Sequence, residues 1–171
     1  LWKNTTDEPV PAGAIPEQID YALARLPPAQ HIKLYNSGNF FDAQAIPPAD
    51  HAAIAERVRA FQTVIVENHP RLCTDHCVRF RDQLGTDLEI AIGLETVHPD
   101  VLPALNKRMT LDDFDRAVQF LVRHAISVRA FILLRPPFLT EEEGLDWALR
   151  SIEHAFAAGV GCCSVIPTRA G

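Results

Sequence analysis

The chain has 171 residues, of which 47% are apolar and 22% charged, with a formal net charge of −6. This is ordinary globular composition, which excludes disorder, collagen-like repeats and low-complexity sequence, and it lacks the basic footprint of a non-specific nucleic-acid binder. A single domain over residues 1–171 is expected, with enough chain to bury its own core. The longest strictly apolar run, around Phe131-Ile132-Leu133-Leu134, is far short of a membrane span.

Residues 1–13 are polar and rich in Pro and Gly, and read as an extended loop. Pro16 suits a first helical turn, and Ile15, Ile19, Leu23 and Leu26 recur at helical spacing until Pro27-Pro28 stops the helix. His31 to Asn36 alternates as a strand, a polar loop follows from Ser37 to Pro48, and a helix is predicted from about Ala49 to Phe61. Thr63 to Glu67 is a β-branched strand, and Arg71 to Leu84 a helix closed by Gly85. Leu88 to Glu95 is the next strand, with a short helix starting at Pro99. Thr110-Leu111-Asp112-Asp113 and Thr140-Glu141-Glu142-Glu143 each place an acid three residues after a threonine, the capping signal that opens a long helix. Between and after those helices, Val128 to Arg135 and Cys162 to Ile166 read as strands.

Strands alternating with helices in units of about 30 residues predict an α/β fold with a parallel sheet and right-handed crossovers. A complete eight-unit barrel needs about 250 residues, so the chain holds a partial barrel or an open doubly wound sheet. Cys73, Cys77, Cys162 and Cys163 are too few for a disulfide scaffold, which points to a reducing, cytoplasmic compartment. Leu1-Trp2-Lys3-Asn4 is no signal peptide, and both ends read like those of a fragment.

Strand polarity carries the functional signal. One face of each strand is apolar: Ile32 and Leu34, Val64 and Val66, Leu88 to Leu94 at alternate positions, Val128 to Leu134 likewise. The other face carries Lys33 and Tyr35, Glu67, Glu89, Ala91, Gly93 and Glu95, and Arg129, Phe131, Leu133 and Arg135. Fully buried parallel strands should be apolar throughout. Three carboxylates and three cations on one surface must be mutually paired, wet or ligand-bound. Small Ala91 and Gly93 favour room for a ligand, and internal Glu–Arg pairing is the structural alternative. Sites in such folds lie at the C-terminal strand ends. Those ends read Asn36-Ser37-Gly38-Asn39, Glu67-Asn68-His69-Pro70, Glu95-Thr96, Arg135-Pro136-Pro137 and Pro167-Thr168-Arg169.

Tyr35 to Asp42, Val66 to Pro70, Ile92 to Thr96, Asn106 to Thr110 and Leu134 to Glu143 together resemble the radical S-adenosylmethionine superfamily. Within it, the likeness is to the elongator-catalytic-subunit and methylthiotransferase-like branch, near the radical subunit of archaeosine synthase. The resemblance implies a partial (β/α)6 barrel with outer helices, whose first strand and cluster-binding C-x3-C-x2-C loop are missing from this sequence. Cys73 and Cys77 have the first spacing, but Phe80 stands where the third cysteine would be. A [4Fe-4S] cluster, with ligands upstream of this chain, would reduce S-adenosylmethionine to methionine and a 5′-deoxyadenosyl radical. The isolated piece is then expected to be inactive.

The resemblance assigns Asn36, Ser37, Gly38 and Asn39 to the loop that holds the methionine amino group of S-adenosylmethionine. Glu67 and Glu95 would face that amino group or the ribose, Arg135 the carboxylate, and Pro167 and Thr168 the adenine. A zwitterionic amino acid fits such a set, needing acceptors for its ammonium and a fork of donors for its carboxylate. An electron-donor protein is the implied partner, and an RNA nucleoside the substrate by analogy only. Two other readings stand beside this one: a cluster-free ligand-binding or interaction module on the same barrel, and an aldolase using Lys33 as a Schiff-base lysine. The seven histidines form no metal-binding motif, although His69 follows a strand end and could meet a ligand.

Overall fold

Alternating β-branched and aliphatic positions in each strand segment give one apolar face, and the helix after each strand has an apolar stripe to cover it. The computed structural model describes residues 8–36 and 38–168. Five parallel strands, β1 (His31–Leu34), β2 (Thr63–Glu67), β3 (Asp87–Glu95), β4 (Ser127–Leu133) and β5 (Cys162–Ile166), lie side by side in chain order. They form a curled half-barrel with helices around it. Those helices are α1 (Ala14–Leu23), α2 (His51–Val58), α3 (Asp75–Leu84), α4 (Val101–Ala104), α5 (Leu111–Arg123) and α6 (Glu141–Ala158). Successive strands are neighbours, so every connection is one βαβ crossover.

Register aligns Ile32 with Val64 and Leu88, Val66 with Ile90 and Val128, and Ile92 with Ala130. These rows form the outer face of the sheet. Ile54 and Val58 of α2, Phe80 and Leu84 of α3, Phe114, Val118 and Leu121 of α5, and Ala148 and Ala155 of α6 bury them in one apolar cluster. Both expected capping boxes are present. Thr110 N–H donates to Asp113 at 2.9 Å and Asp113 N–H to the Thr110 hydroxyl at 3.1 Å, with Thr140 and Glu143 repeating the exchange.

Four departures from the sequence-based expectations matter. The helix expected to run to Leu26 ends at Leu23, four residues ahead of Pro27. The helix expected from Arg71 is divided into a 3-10 turn, Pro70–Leu72, and α3, because Cys73 (φ −79°, ψ 88°) leaves helical geometry and Thr74 takes the N-cap. β1 stops at Leu34 and β4 at Leu133, so Asn36 and Arg135 lie beyond their strands. In β3 the register with β4 shifts between Gly93 and Glu95, and Glu95 takes a left-handed φ of 66° opposite Ile132. Much of the expected N-terminal loop lies outside the described residues, as does Ser37.

Candidate functional site

The inner face is built by the residues between the core rows. Register places Lys33 beside Ile65 and Glu89, and Glu67 beside Ala91, Arg129 and Cys162. Glu89 and Arg129 are an ion pair: Arg129 Nε donates to Glu89 Oε1 at 2.6 Å, and Arg129 Nη1 to the Ser164 hydroxyl at 3.2 Å. The bond to Glu89 pushes the guanidinium pKa up. Tyr35 stands edge-on to Phe131 across the same surface, with ring centroids 6.2 Å apart, and burial raises its phenol.

A second group gathers at the C-terminal end of β2 and β3. Glu95 reaches the inner face through its left-handed backbone rather than through the pleat. A Cβ at Gly93 would collide with Glu95 Oε1, so glycine there is what lets the carboxylate fold back across the strand. Glu95 is nearly buried, its side chain 8% exposed, and is paired with Lys107 Nζ at 2.8 Å. The Glu67 carboxylate makes no hydrogen bond or ion pair with another described residue. Burial raises its pKa, Lys107 opposes the rise, and the Glu95 charge adds to it.

The loop after β1 is fastened over this group. Phe40 N–H donates to Glu67 O at 2.8 Å, and Phe41 N–H to Asn68 Oδ1 at 3.4 Å. Asn36 Oδ1 is buried with no hydrogen-bond partner among the described residues. Gly38 is exposed and its N–H donates to Asn36 O at 2.7 Å. Asn39 edges an open cleft of about 560 Å³ with His69, Arg71, Lys107 and Arg108. His69 spends both ring nitrogens on structure: Nδ1 accepts from Arg71 N–H at 3.2 Å, so Nε2 carries the proton it gives to Lys107 O at 2.9 Å. That bond holds the segment carrying Lys107.

Arg135 belongs to another cleft. It lies past the end of β4, packed against Gly144 of α6, where a Cβ would come within 2.8 Å of Arg135 Cγ. With Leu134, Glu141, Leu145, Pro167 and Thr168 it lines a cleft of about 360 Å³. Its Nη1 is 3.8 Å from Glu141 Oε1, and the Thr168 hydroxyl donates to its carbonyl. The six strand charges therefore do not form one cluster, as alternation alone predicted. Glu89 and Arg129 pair, Glu95 turns to Lys107, Arg135 has left its strand, and Lys33 is exposed on the edge strand with its Nζ 5.7 Å from the Tyr35 ring centre. The burial that a Schiff-base lysine requires is absent at Lys33. Lys107 is the partner that strand reading missed, because it comes from a loop with no periodic signal. Among the described residues, no three His, Cys, Asp or Glu side chains are placed to hold a metal ion, and no helix is long and apolar enough to cross a membrane.

No protein-family model matches the chain. It is 30% identical over 130 residues to archaeosine synthase subunit beta of Thermococcus kodakarensis, covering 72% of this chain and 40% of that protein. The same-named protein of Methanosarcina acetivorans is 28% identical over 72% of this chain and 38% of its own length. An uncharacterized protein of Methanocaldococcus jannaschii is 24% identical over 96% of this chain and 48% of its own. The chain thus spans half or less of the curated relatives it matches. In three dimensions it resembles TsrM of Kitasatospora setae, a radical S-adenosylmethionine methyltransferase solved with cobalamin and a [4Fe-4S] cluster. The TM-score is 0.59 at 13% identity, over 90% of this chain and 29% of that one. The chain is a relative of the radical S-adenosylmethionine superfamily. A second TsrM structure, with tryptophan and an S-adenosylmethionine analogue, matches at a TM-score of 0.51 and 12% identity, over 70% and 23%. At these identities TsrM supports the shared radical S-adenosylmethionine barrel and nothing finer.

Proposed function

We propose that this chain is the cofactor-cradling core of a radical S-adenosylmethionine enzyme, and that its own residues bind and orient S-adenosylmethionine. The observation that supports this most is the buried Asn36 Oδ1, which has no hydrogen-bond partner among the described residues, with the half-buried Glu67 carboxylate at the same end of the sheet. Such groups are costly without a donor, and an ammonium supplies several. Asn36, Ser37, Gly38 and Asn39 would close over the methionine amino group, with Glu67 ionised by its charge and Glu95 held nearby by Lys107. Arg135, Pro167 and Thr168 line a separate cleft, so any part they take would be with a portion of the cofactor remote from its amino group.

The described cysteines do not fit a [4Fe-4S] cluster, since no third ligand stands with Cys73 and Cys77. The cluster that drives radical chemistry, and an electron-donor protein to reduce it, would belong to the whole enzyme. An RNA nucleoside remains its proposed substrate by analogy. Titrating the isotopically labelled chain with S-adenosylmethionine tests the binding role. Amide NMR shifts are expected at Gly38 to Phe41, Glu67 to His69 and Gly93 to Thr96. Shifts confined elsewhere, or none at millimolar cofactor, would remove the assignment. Specific binding without any cluster is also what a cluster-free binding module would show. Activity of the whole enzyme then separates the two.

A further inference from the structure

The open cleft of about 560 Å³ that borders Asn39 has a one-sided charge. Arg71, Lys107 and Arg108 line it, and none of the described residues in its wall is acidic. Lys107 is already neutralised by Glu95 at 2.8 Å. The two guanidiniums are not: neither Arg71 nor Arg108 makes an ion pair with another described residue. Asp112 and Asp113, the acids that open α5 just beyond this loop, are taken up by Arg116. The fold also fixes the cations in place. Arg71 Nη1 donates to Arg108 O at 3.3 Å and His69 Nε2 to Lys107 O at 2.9 Å, so successive carbonyls of the loop are tied back to the segment after β2. Asn106 and Arg108 both hold a left-handed φ of 53°, and Met109 is buried directly after them. Such backbone persists only where surrounding contacts hold it. A chain with a net charge of −6 thus gathers two uncompensated cations, joined by a hydrogen bond, in one preformed hollow.

We propose that this cleft binds a dianionic phosphoryl group, as free phosphate or a small phosphate monoester, between the Arg71 and Arg108 guanidiniums. A guanidinium presents a planar fork of donors that matches phosphate oxygens. Arg71 uses only Nη1 within the protein, which leaves Nε and Nη2 to donate, and Arg108 keeps its whole fork. The amides of Asn39 and Asn106 at the same cleft add uncharged donors. Charge then selects the ligand. A phosphate monoester carries about −1.5 to −2 at pH 7, which two free cations balance. A phosphodiester carries one charge per phosphate, and a polynucleotide calls for an extended basic track that this chain's composition lacks. The inference does not rest on the cofactor assignment, because S-adenosylmethionine has no phosphate.

The test is NMR titration of the isotopically labelled chain with inorganic phosphate, adenosine 5′-monophosphate, adenosine and the diester adenylyl-3′,5′-adenosine, each against sodium chloride at matched ionic strength. Phosphate and the monophosphate are expected to shift the Nε–H signals of Arg71 and Arg108 and the amides of Asn106 to Arg108, whereas adenosine and chloride leave them in place. Tighter binding of the monophosphate than of phosphate would assign an esterified ligand, and equal binding free phosphate. The side chain of Arg108 makes no bond that supports the loop, so Arg108→Gln should keep the native spectrum. It should weaken both ligands about five- to tenfold, the low end for a charged hydrogen bond at an exposed site. The wild-type titrations decide the matter even if a variant fails to fold. No saturable shift at millimolar phosphate or monophosphate would overturn the site, as would adenosine binding as tightly as its monophosphate. Equal or tighter binding of the diester would overturn the choice of ligand in favour of RNA, and unchanged affinity in Arg108→Gln would overturn the clasp.

Discussion

On the outer face of the sheet, Val64, Val66, Ile90, Ile92, Val128 and Ala130 are sealed beneath helices in one apolar cluster. On the inner face of the same strands, Glu67, Glu89, Arg129 and Phe131 alternate with them and stay partly open. Identical backbone thus serves two environments, and the difference lies entirely in which parity of residue faces which way. The outer parity determines that the chain folds as a half-barrel. The inner parity carries charge that folding does not need, and a binding surface is the economical account of why it is there. If this division holds, substitutions on the two faces must fail in different ways.

The largest effect belongs to the outer face. Ile90→Ala, at a position with no solvent exposure, should cost about 2–5 kcal/mol by chemical denaturation followed by circular dichroism. A loss below about 1 kcal/mol would mean that the helices do not seal the sheet as described. Next comes the inner ion pair. Glu89→Gln leaves the Arg129 guanidinium, 20% exposed, without its charged partner and should cost about 1.5–3 kcal/mol. Replacing both, as Glu89→Leu with Arg129→Met, should recover most of that loss, because two apolar groups need no partner. A double variant as unstable as the sum of its parts would make the pair a folding requirement, and the contrast between faces would weaken.

How far the sequence reveals this division depends on regularity. The faces of the first part of β3 and of β4 are legible because side chains alternate there, and the capping boxes are legible because their partners are three residues apart. The upper rim is not. Glu95 does reach the inner face, but by a register shift and a positive φ that no periodic pattern announces. Its partner Lys107 comes from a loop, and Arg135 falls outside β4, where Pro136 and Pro137 interrupt the strand. Long-range contacts made by irregular backbone leave little trace in local sequence. They are also what shapes the candidate site.

Gly93→Ala sharpens the comparison at this irregular point. The added methyl meets the far end of the Glu95 side chain, which can swing aside, so the stability change should stay within about 1 kcal/mol. The carboxylate would nevertheless leave its place over the strand. Calorimetric titration with S-adenosylmethionine should then show weaker binding for a normally folded protein. Unchanged affinity would take Glu95 out of the proposed site and leave its pair with Lys107 as architecture.

The smallest effect, and the most diagnostic of an unpartnered inner-face charge, is at Glu67. Burial first, with the Glu95 charge adding and Lys107 opposing, raises its folded-state pKa above the unfolded value near 4.3. The folded protein therefore holds this proton more tightly than the unfolded chain. Below the unfolded pKa the group is protonated in both states and costs nothing. As pH rises through the raised folded pKa, stability is lost, and the penalty is complete above it. Glu67→Gln removes that penalty while keeping the shape. The variant should be slightly more stable than wild type near neutral pH, and the gap should close on acidification below about pH 4.3. Denaturation midpoints measured across that range would show it. S-adenosylmethionine should narrow the neutral-pH gap as well, because a bound ammonium favours the ionised carboxylate of wild type and has less to gain from the amide. A gap of opposite sign, with Glu67→Gln less stable at neutral pH, would mean that the carboxylate already has a stabilising partner and is not waiting for one.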